Sequence, residues 1–573
     1  MLNRFICALA MALGVGGSIH AQQGVIPTMG KEFWVGYMQN YGGGGNQHID
    51  VFISSYVNTT GTISMPLLGF TQNFTVTANT TTTVTLPITA VHTGSEVVDN
   101  KSFLIETADT VAVYALNFED ATADAASILP TQSLGTEYRV HCYYGLSGFG
   151  TLNSEFLIVA TQDGTQIEIT PASATLGGQP AGVPFIVDLD SAETYQVQAA
   201  NSGDDLSGTT LIGTAVSGSC RPFAVFSGSV CTNVPIGCFA CDHVYEQNLP
   251  SNVWGTKYYT IPWQGPNSYT YRVMANTNGT NYTVDGVAQP ALNAGQFQEV
   301  NYATQGHCIE STVPISAAQY IQGQDCSGGV GDPALLILNA DEQKISNISF
   351  ATVISANISN QYIAVIVETA STNQVILDGA PLPAAAFTPY TSCSTESWAN
   401  FPLTQGSHSI SCPTGLIGYV YGVGSNYETY AYSVGSFTPL PPLVVDSVFC
   451  GVDSTGTLTL SPPQPINNAW WSIYSNPTDT LWQGLNYTFT PPGSDVYVVT
   501  GSEFLSACEQ QYFFSVEVDT PPLLTVTAAP SVVCAYSPVQ LNVTANPVGT
   551  YLYNWWPDPE LNYGTLPNPI ATP

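Results

Sequence analysis

The densest collection of reactive side chains in the sequence is Cys220, Cys231, Cys238 and Cys241, with Asp242 and His243 following at once. Cys238-Phe-Ala-Cys241 has the spacing of a redox dithiol or of half a zinc site, because thiols three residues apart can reach each other or one metal ion. Acidic clusters offer a second chemistry. Glu119-Asp120-Ala-Thr-Ala-Asp124, Asp188-Leu-Asp190, Asp204-Asp205, and Asp325 with Asp332 are oxygen-rich segments of the kind that suits calcium, although none has EF-hand spacing. Asp120 and Asp124 are the metal candidates to single out, since Asp124, Asp242 and Asp332 recur at one point of three internal repeats. An aspartate that caps a loop through its own side chain explains the same recurrence and is the preferred reading.

Catalytic signatures are missing from the sequence. It has no His-Glu-x-x-His pair, no Gly-x-Ser-x-Gly elbow and no phosphate loop. His48, His92, His141, His243, His307 and His408 are scattered, and a general base needs a positioned partner. The leading enzymatic alternative is a glycan hydrolase with two facing carboxylates. Aromatic pairs such as Trp34 with Tyr37, Tyr143-Tyr144 and Tyr258-Tyr259 could stack on sugars or anchor a protein partner, but most are expected in the core. No catalytic residue and no cofactor is therefore assigned.

These residues must be held by a large, anionic, exported chain. With 573 residues, more than one domain is expected. Lys+Arg 8 against Asp+Glu 41 gives a formal charge of -33, which excludes nucleic-acid binding and basic-patch attachment to anionic membranes. Residues 1–21 read as a secretory signal cleaved near Ala21: Arg4, an apolar run from Phe5 to Val15, then small residues. No later run is long and apolar enough to insert into a membrane, so an extracellular or cell-surface location is expected. In that oxidising setting the remaining cysteines are disulfide candidates. Cys308 with Cys326 and Cys393 with Cys412 close short loops, the group from Cys220 to Cys241 could make two bridges, and Cys450 and Cys508 flank a later module. Their connectivity stays open.

Short alternating runs of Val, Ile, Thr, Tyr and Phe, punctuated by Gly, Pro and Asn, predict an all-β chain. Asp163-Gly164, between two such runs, predicts a β-hairpin. Gly30-Lys-Glu-Phe-Trp-Val-Gly-Tyr37, Gly135-Thr-Glu-Tyr-Arg-Val-His141 and Gly255-Thr-Lys-Tyr-Tyr-Thr-Ile261 are versions of one element, and a weaker fourth copy begins near 345. Residues 22–440 thus form a four-copy region of tandem antiparallel β-sandwiches packed end to end, with propeller-like closure as the alternative. After the Pro-rich stretch at 438–442, Cys450, Trp470, Trp471 and Cys508 space out as in an immunoglobulin-like sandwich over 441–522. Cys534, Trp555 and Trp556 begin a second one over 523–573, cut short, so that further C-terminal modules are expected.

Three sets of motifs carry a family resemblance. Asp124-Ala-Ala-Ser-Ile-Leu-Pro130 with Leu134-Gly-Thr-Glu-Tyr138, Val159-Ala-Thr-Gln-Asp-Gly-Thr165 with Ile169-Thr-Pro171, and Cys241-Asp-His-Val-Tyr-Glu-Gln-Asn-Leu-Pro250 with Trp254-Gly-Thr-Lys-Tyr258 resemble the IgGFc-binding protein N-terminal domain over about 100–430. The tail resembles the Ig-like or PKD-like modules of large secreted proteins from gliding, Bacteroidetes-type bacteria. The resemblance implies a secreted, non-catalytic adhesion protein that presents loops of its β-repeats to a protein or glycan ligand. A glycan-degrading enzyme and a purely structural spacer are the alternatives.

Overall fold

The structure is a computed structural model. It describes residues 25–439 apart from 43–44, 149–151, 215–220, 356, 393–394 and 425–426, together with parts of 449–572. Residues 24–441 form one compact unit and most of 442–573 another.

The first copy contains β1 (Gly30–Gly36), β2 (His48–Ser55), β3 (Thr59–Met65), β4 (Phe70–Val76), β5 (Thr80–Leu86), β6 (Ser102–Glu119) and β7 (Thr122–Ile128). β6 is long enough to serve two sheets. Its first half lies between β1 and β3, with β4 beyond β3. Its second half lies between β7 and β2, with β5 beyond β2. All these pairings are antiparallel, and the two sheets enclose a core of Val, Ile, Phe and Tyr.

The same order returns three times. In the second copy, Glu137–Arg139, Thr210–Thr214, Thr165–Thr170 and Phe185–Leu189 make one sheet, and Asp242–Gln247, Phe223–Thr232, Ser154–Ala160 and Thr194–Gln198 the other. The third sets Lys257–Tyr259, Cys308–Ser311, Tyr282–Val284 and Val287–Ala288 against Ala334–Ile337, Ile315–Ile321, Tyr269–Ala275 and Phe297–Ala303. In the fourth, Ser407–Val423 spans both sheets as β6 does. Strands such as Ser154–Ala160 and Tyr269–Ala275 are buried along their whole length, which fits the apolar run at 156–160 and places Arg272 wholly inside. Outer strands such as Thr165–Thr170 alternate buried and half-buried residues.

Two expectations need correction. Asp163-Gly164 closes no hairpin, because Ser154–Ala160 and Thr165–Thr170 belong to opposite sheets. Both line the core of the second sandwich, from opposite sheets, so two neighbouring apolar stretches mimic the two strands of a hairpin. Tight hairpins instead join the third and fourth strands. In Asp285-Gly286 and Asp378-Gly379 both turn residues have positive φ, as the two-residue turn that matches strand twist requires.

The copies are also not stacked end to end. Their last strands, β7, β8 (Asp242–Gln247), β9 (Ala334–Ile337) and β10 (Thr429–Ser433), form a four-membered hub in which β7 packs on β8 and β10, and β9 packs on the same two. Four sandwiches surround this hub. The ring is closed by Val25–Pro27, which pairs antiparallel with Phe437–Pro439.

Neighbouring copies share cores. Tyr114, Leu116 and Phe118 of the first copy join Ile348, Phe350 and Tyr432 of the fourth. Between the second and third copies the contact is ionic as well as apolar. Arg272, wholly buried, donates to Asp205 Oδ2 at 2.8 Å, Ser207 Oγ at 2.9 Å and the Cys142 carbonyl at 3.0 Å, and pairs with Glu299 at 2.8 Å. Its guanidinium lies 4.1 Å from the Tyr143 ring centre and 4.3 Å from that of Phe297.

The second unit has its own small core of Leu460, Trp471, Tyr497, Val499, Phe514 and Val516. Trp471 Nε1 donates to the Gly484 carbonyl at 3.0 Å. Cys508, Cys534, Trp555 and Trp556 lie outside the described residues.

Removing Arg272 leaves the buried carboxylate of Asp205 without its counter-charge. The expected cost of Arg272→Ala is about 3–5 kcal/mol, read from the urea midpoint of the full chain.

Candidate binding site at the hub

The hub is organised by one side chain. Asp124, on β7 and fully buried, accepts hydrogen bonds from the backbone N–H of Ala125 (2.9 Å), Tyr245 (3.1 Å), Leu335 (3.0 Å) and Ala431 (3.4 Å), one from each central strand. A carboxylate has two oxygens and about four acceptor positions, and all four are filled. Burial pushes the Asp124 pKa up, and the four N–H groups favour the ionised form against it.

Asp124 is therefore committed to backbone and does not meet Asp120 at a shared site. Asp120 lies at the loop end of the hub and accepts from Asn46 Nδ2 at 2.8 Å. Nor is Asp124 the equivalent of Asp242 and Asp332. Counting back three residues from each N–H that Asp124 binds gives Thr122, Asp242, Asp332 and Glu428, so three acids share the next level towards the loops. Both oxygens of Asp242, both of Asp332 and Oε2 of Glu428 are buried without hydrogen-bond partners. Glu428 Oε1 accepts from the Ala121 N–H at 3.0 Å and from Asn357 Nδ2 at 3.3 Å. Burial first, and then the neighbouring acids, raise the pKa of Asp242 and of Asp332. Burial pushes Glu428 up to about 6.

Above these acids, the four loops that lead into the central strands converge and are tied together. Cys231–Cys241 closes the second loop and Cys238–Cys326 joins it to the third, bridging residues 88 apart in sequence. Gly323 N–H donates to the Val234 carbonyl, Asp325 N–H to Phe239, and Gly331 N–H to Gly424. A pocket of about 290 Å³ opens among them, lined by Tyr41, Ala121, Leu146, Leu152, Phe239, Tyr427 and the Cys231–Cys241 bridge. Phe239 is 52% exposed, Tyr427 40%, Tyr41 39% and the adjacent Ile236 66%. The space at the far end of the central strands, between Glu246, Gln247 and Asn339, is only about 20 Å³, room for one water.

The other sequence candidates are used elsewhere. Cys238 and Cys241 sit in different disulfides, which removes the dithiol and zinc readings of their motif. Cys326 bonds Cys238, so it is not the partner of Cys308, which is disulfide-bonded in its own right. Cys412 is a free, buried thiol, as is Cys142, so Cys412 does not pair with Cys393. Cys220, Cys393 and Cys508 lie outside the described residues, and Cys450 is described only as part of the strand Phe449–Cys450. His243 is held between the Ser229 carbonyl and Asn117, and burial lowers it to about 4. His92 and His141 are likewise buried and kept neutral, at about 4 and about 3. His307 pairs with Asp285 and His408 with Asp378, both at 2.7 Å, beside the tight hairpins of the third and fourth copies. Trp34, Tyr37, Tyr143, Tyr258 and Tyr259 are core residues. Among the described residues no three His, Cys, Asp or Glu side chains group closely enough to hold a metal ion.

A family model described as IgGFc binding protein matches residues 124–422, more than half of the chain. The chain belongs to the IgGFc-binding protein family. Within it, IgGFc-binding protein of Homo sapiens is 29% identical over 280 residues, which take up 47% of this chain and 5% of the human one, so the chain spans a small part of that relative. A cryo-EM structure of native E. coli alpha-2-macroglobulin aligns over 89% of this chain and 47% of its own at 9% identity, with a TM-score of 0.13, and carries no argument about fold. The family match begins at Asp124 itself and takes in β8 and β9.

Removing the Asp124 carboxylate orphans four buried N–H groups at about 1–3 kcal/mol each. Asp124→Ala is expected to destabilise by more than about 3 kcal/mol in urea unfolding, with Asp124→Asn intermediate because an amide keeps one acceptor oxygen. The acids above it give a pH dependence of known sign. A folded pKa raised from the ordinary 4.5 to about 6 contributes stability below pH 4.5 that is lost as pH rises through 6. The urea midpoint is expected to fall over that window, and Glu428→Gln to flatten the slope.

Proposed function

We propose that the chain is a secreted or cell-surface binding protein that holds a protein or glycan ligand at the loop end of its hub and leaves it chemically unchanged. The observation that carries this reading is the exposure of Tyr41, Phe239 and Tyr427 around one pocket, with Phe239 and the exposed Ile236 on a loop braced by two disulfides. Large, stiff aromatic groups on a braced surface supply contact area at low entropic cost. Family membership supports a binding role, and disulfides of this kind persist outside the cytosol. Residues 441–522 and 523–573 serve as Ig-like spacers in this reading. Among the described residues no helix is long and apolar enough to cross a membrane.

Support for the non-catalytic part comes from what the reactive groups are used for. Hydrolysis by paired carboxylates needs two acids facing across an open groove, whereas Asp242 and Asp332 are completely buried. The cysteines of the Cys-x-x-Cys motif are consumed in bridges.

The full chain should be screened against an Fc fragment, for which the human relative is named, and against a glycan array. A ligand is expected that binds the Phe239→Ala/Tyr427→Ala variant about tenfold more weakly or worse, with the circular dichroism of the fold unchanged. Absence of any ligand, combined with turnover of a glycan substrate, would overturn the reading.

A further inference from the structure

A second pocket, of about 410 Å³, opens in the first copy beside the hub. It is built by the loop from β1 to β2, the segment from β5 to β6 and the last residues of β6. Tyr41 lines this pocket and the hub pocket alike, so the two adjoin. Its lining residues all precede Asp124, where the family match begins.

The back wall is polar, buried and held by hydrogen bonds. Asn117 Nδ2 donates to the Met38 carbonyl and to His243 Nε2, both at 3.0 Å, and His92 is fixed between the Tyr37 carbonyl at 2.8 Å and Thr194 Oγ1 at 2.7 Å. Phe118 adds an apolar patch, its ring centre 4.3 Å from that of His48. Nearer the solvent the groups are unused. Gln39 Oε1 accepts from the Gly94 N–H at 2.9 Å and from Gln198 Nε2 at 3.1 Å, which fixes the amide and leaves its Nε2 without an acceptor among the described residues. The hydroxyls of the exposed residues Tyr41, Thr89 and Thr93 likewise have no partner among the described residues.

The lining holds no Asp or Glu, although the chain has 41 of them, and its one lysine, Lys101, is already paired with Asp99 at 2.9 Å. Burial keeps His92 neutral, at about 4. A cation finds no counter-charge in this lining, and an anion meets a neutralised lysine and the repulsion of a chain at -33. The ligand that fits is uncharged. Amides and hydroxyls together give and accept hydrogen bonds as sugar hydroxyls do, and the C–H face of a pyranose packs on an aromatic ring. The volume is that of a small-ligand site. An extended peptide is held chiefly by main-chain bonds along a free strand edge, whereas the unused groups here belong to side chains.

We propose that this pocket binds an uncharged pyranose of a glycan, with Gln39, Thr89 and Thr93 bonding its hydroxyls and Tyr41 packing on a C–H face. The remainder of the glycan runs past Tyr41 towards the hub pocket. The assignment rests on the binding reading above and selects glycan over protein as the ligand.

The test titrates the full chain, followed by saturation-transfer NMR, with the methyl glycosides of glucose, galactose, mannose and N-acetylglucosamine, and with the counterpart of each that carries a carboxylate at C6. At least one neutral glycoside is expected to bind in the millimolar range, and its carboxylate counterpart about fivefold more weakly or worse. Tyr41→Ala and Thr89→Ala/Thr93→Ala are each expected to weaken the neutral glycoside about fivefold or more, with the circular dichroism of the fold unchanged. All three side chains are exposed, so their truncation leaves the core intact. No binding of any neutral glycoside at tens of millimolar, equal binding of the carboxylates, or an unchanged affinity in either variant overturns the proposal. Tighter binding of acetyl-Gly-Asn-Gly-amide than of every glycoside overturns the assignment to a saccharide. A protein ligand weakened by Phe239→Ala/Tyr427→Ala, with no glycoside bound, overturns the sugar pocket and leaves the broader binding reading standing.

Discussion

One carboxylate accepting four backbone N–H groups, each from a different β-strand, is the constraint around which the four-copy region is arranged. Edge strands present unpaired N–H groups, and four of them brought together in a dry interior would each leave a donor unsatisfied. Asp124 answers all four at once, which a hydroxyl or an amide has too few acceptor positions to do. Its short side chain also keeps the strands close. The hub is thus a polar knot inside an apolar assembly, and each sandwich contributes one strand to it and packs its remaining strands around it.

The loops feeding those strands inherit this order. Because the strands are fixed a few residues further on, the loop end of the hub is a defined surface, and the Cys238–Cys326 bridge carries that definition from one copy into the next. A stiff frame with chemically varied loops at one end is a common way to separate stability from recognition. Here the division is unequal. The third and fourth copies retain the His–Asp pairs beside their tight hairpins, whereas the second copy supplies the loop with both bridges and the exposed Phe239.

Much of the fold was legible because it rests on local sterics. Gly30, Gly135 and Gly255 open three copies, and a Cβ at each would come within 2.3–2.5 Å of Pro130, Pro250 or Ala340, so glycine recurs at these three starts. Tyr138 and Tyr258 recur three residues on because each hydroxyl binds the N–H of that glycine and a carbonyl of the neighbouring strand. Strand partners were less legible. Alternation tells which face of a strand is buried but not which sheet holds it, so the crossing from Ser154–Ala160 to Thr165–Thr170 reads as a hairpin. Cys238 and Cys326 are joined by the packing of two copies, which spacing along the chain does not encode. The apparent recurrence of Asp124 with Asp242 and Asp332 draws attention to the right residue for a reason that fails, because their true offset depends on how four strands register in space.

The short ladder between Val25–Pro27 and Phe437–Pro439 brings the two ends of the ring side by side, with Val25 opposite Pro439. Tension applied to the chain on either side of the ring therefore enters at a single end of an antiparallel pair, where hydrogen bonds are loaded one after another and not together. The seam yields first, by unzipping, and the central knot with the loops above it stays out of the load path until the seam has opened.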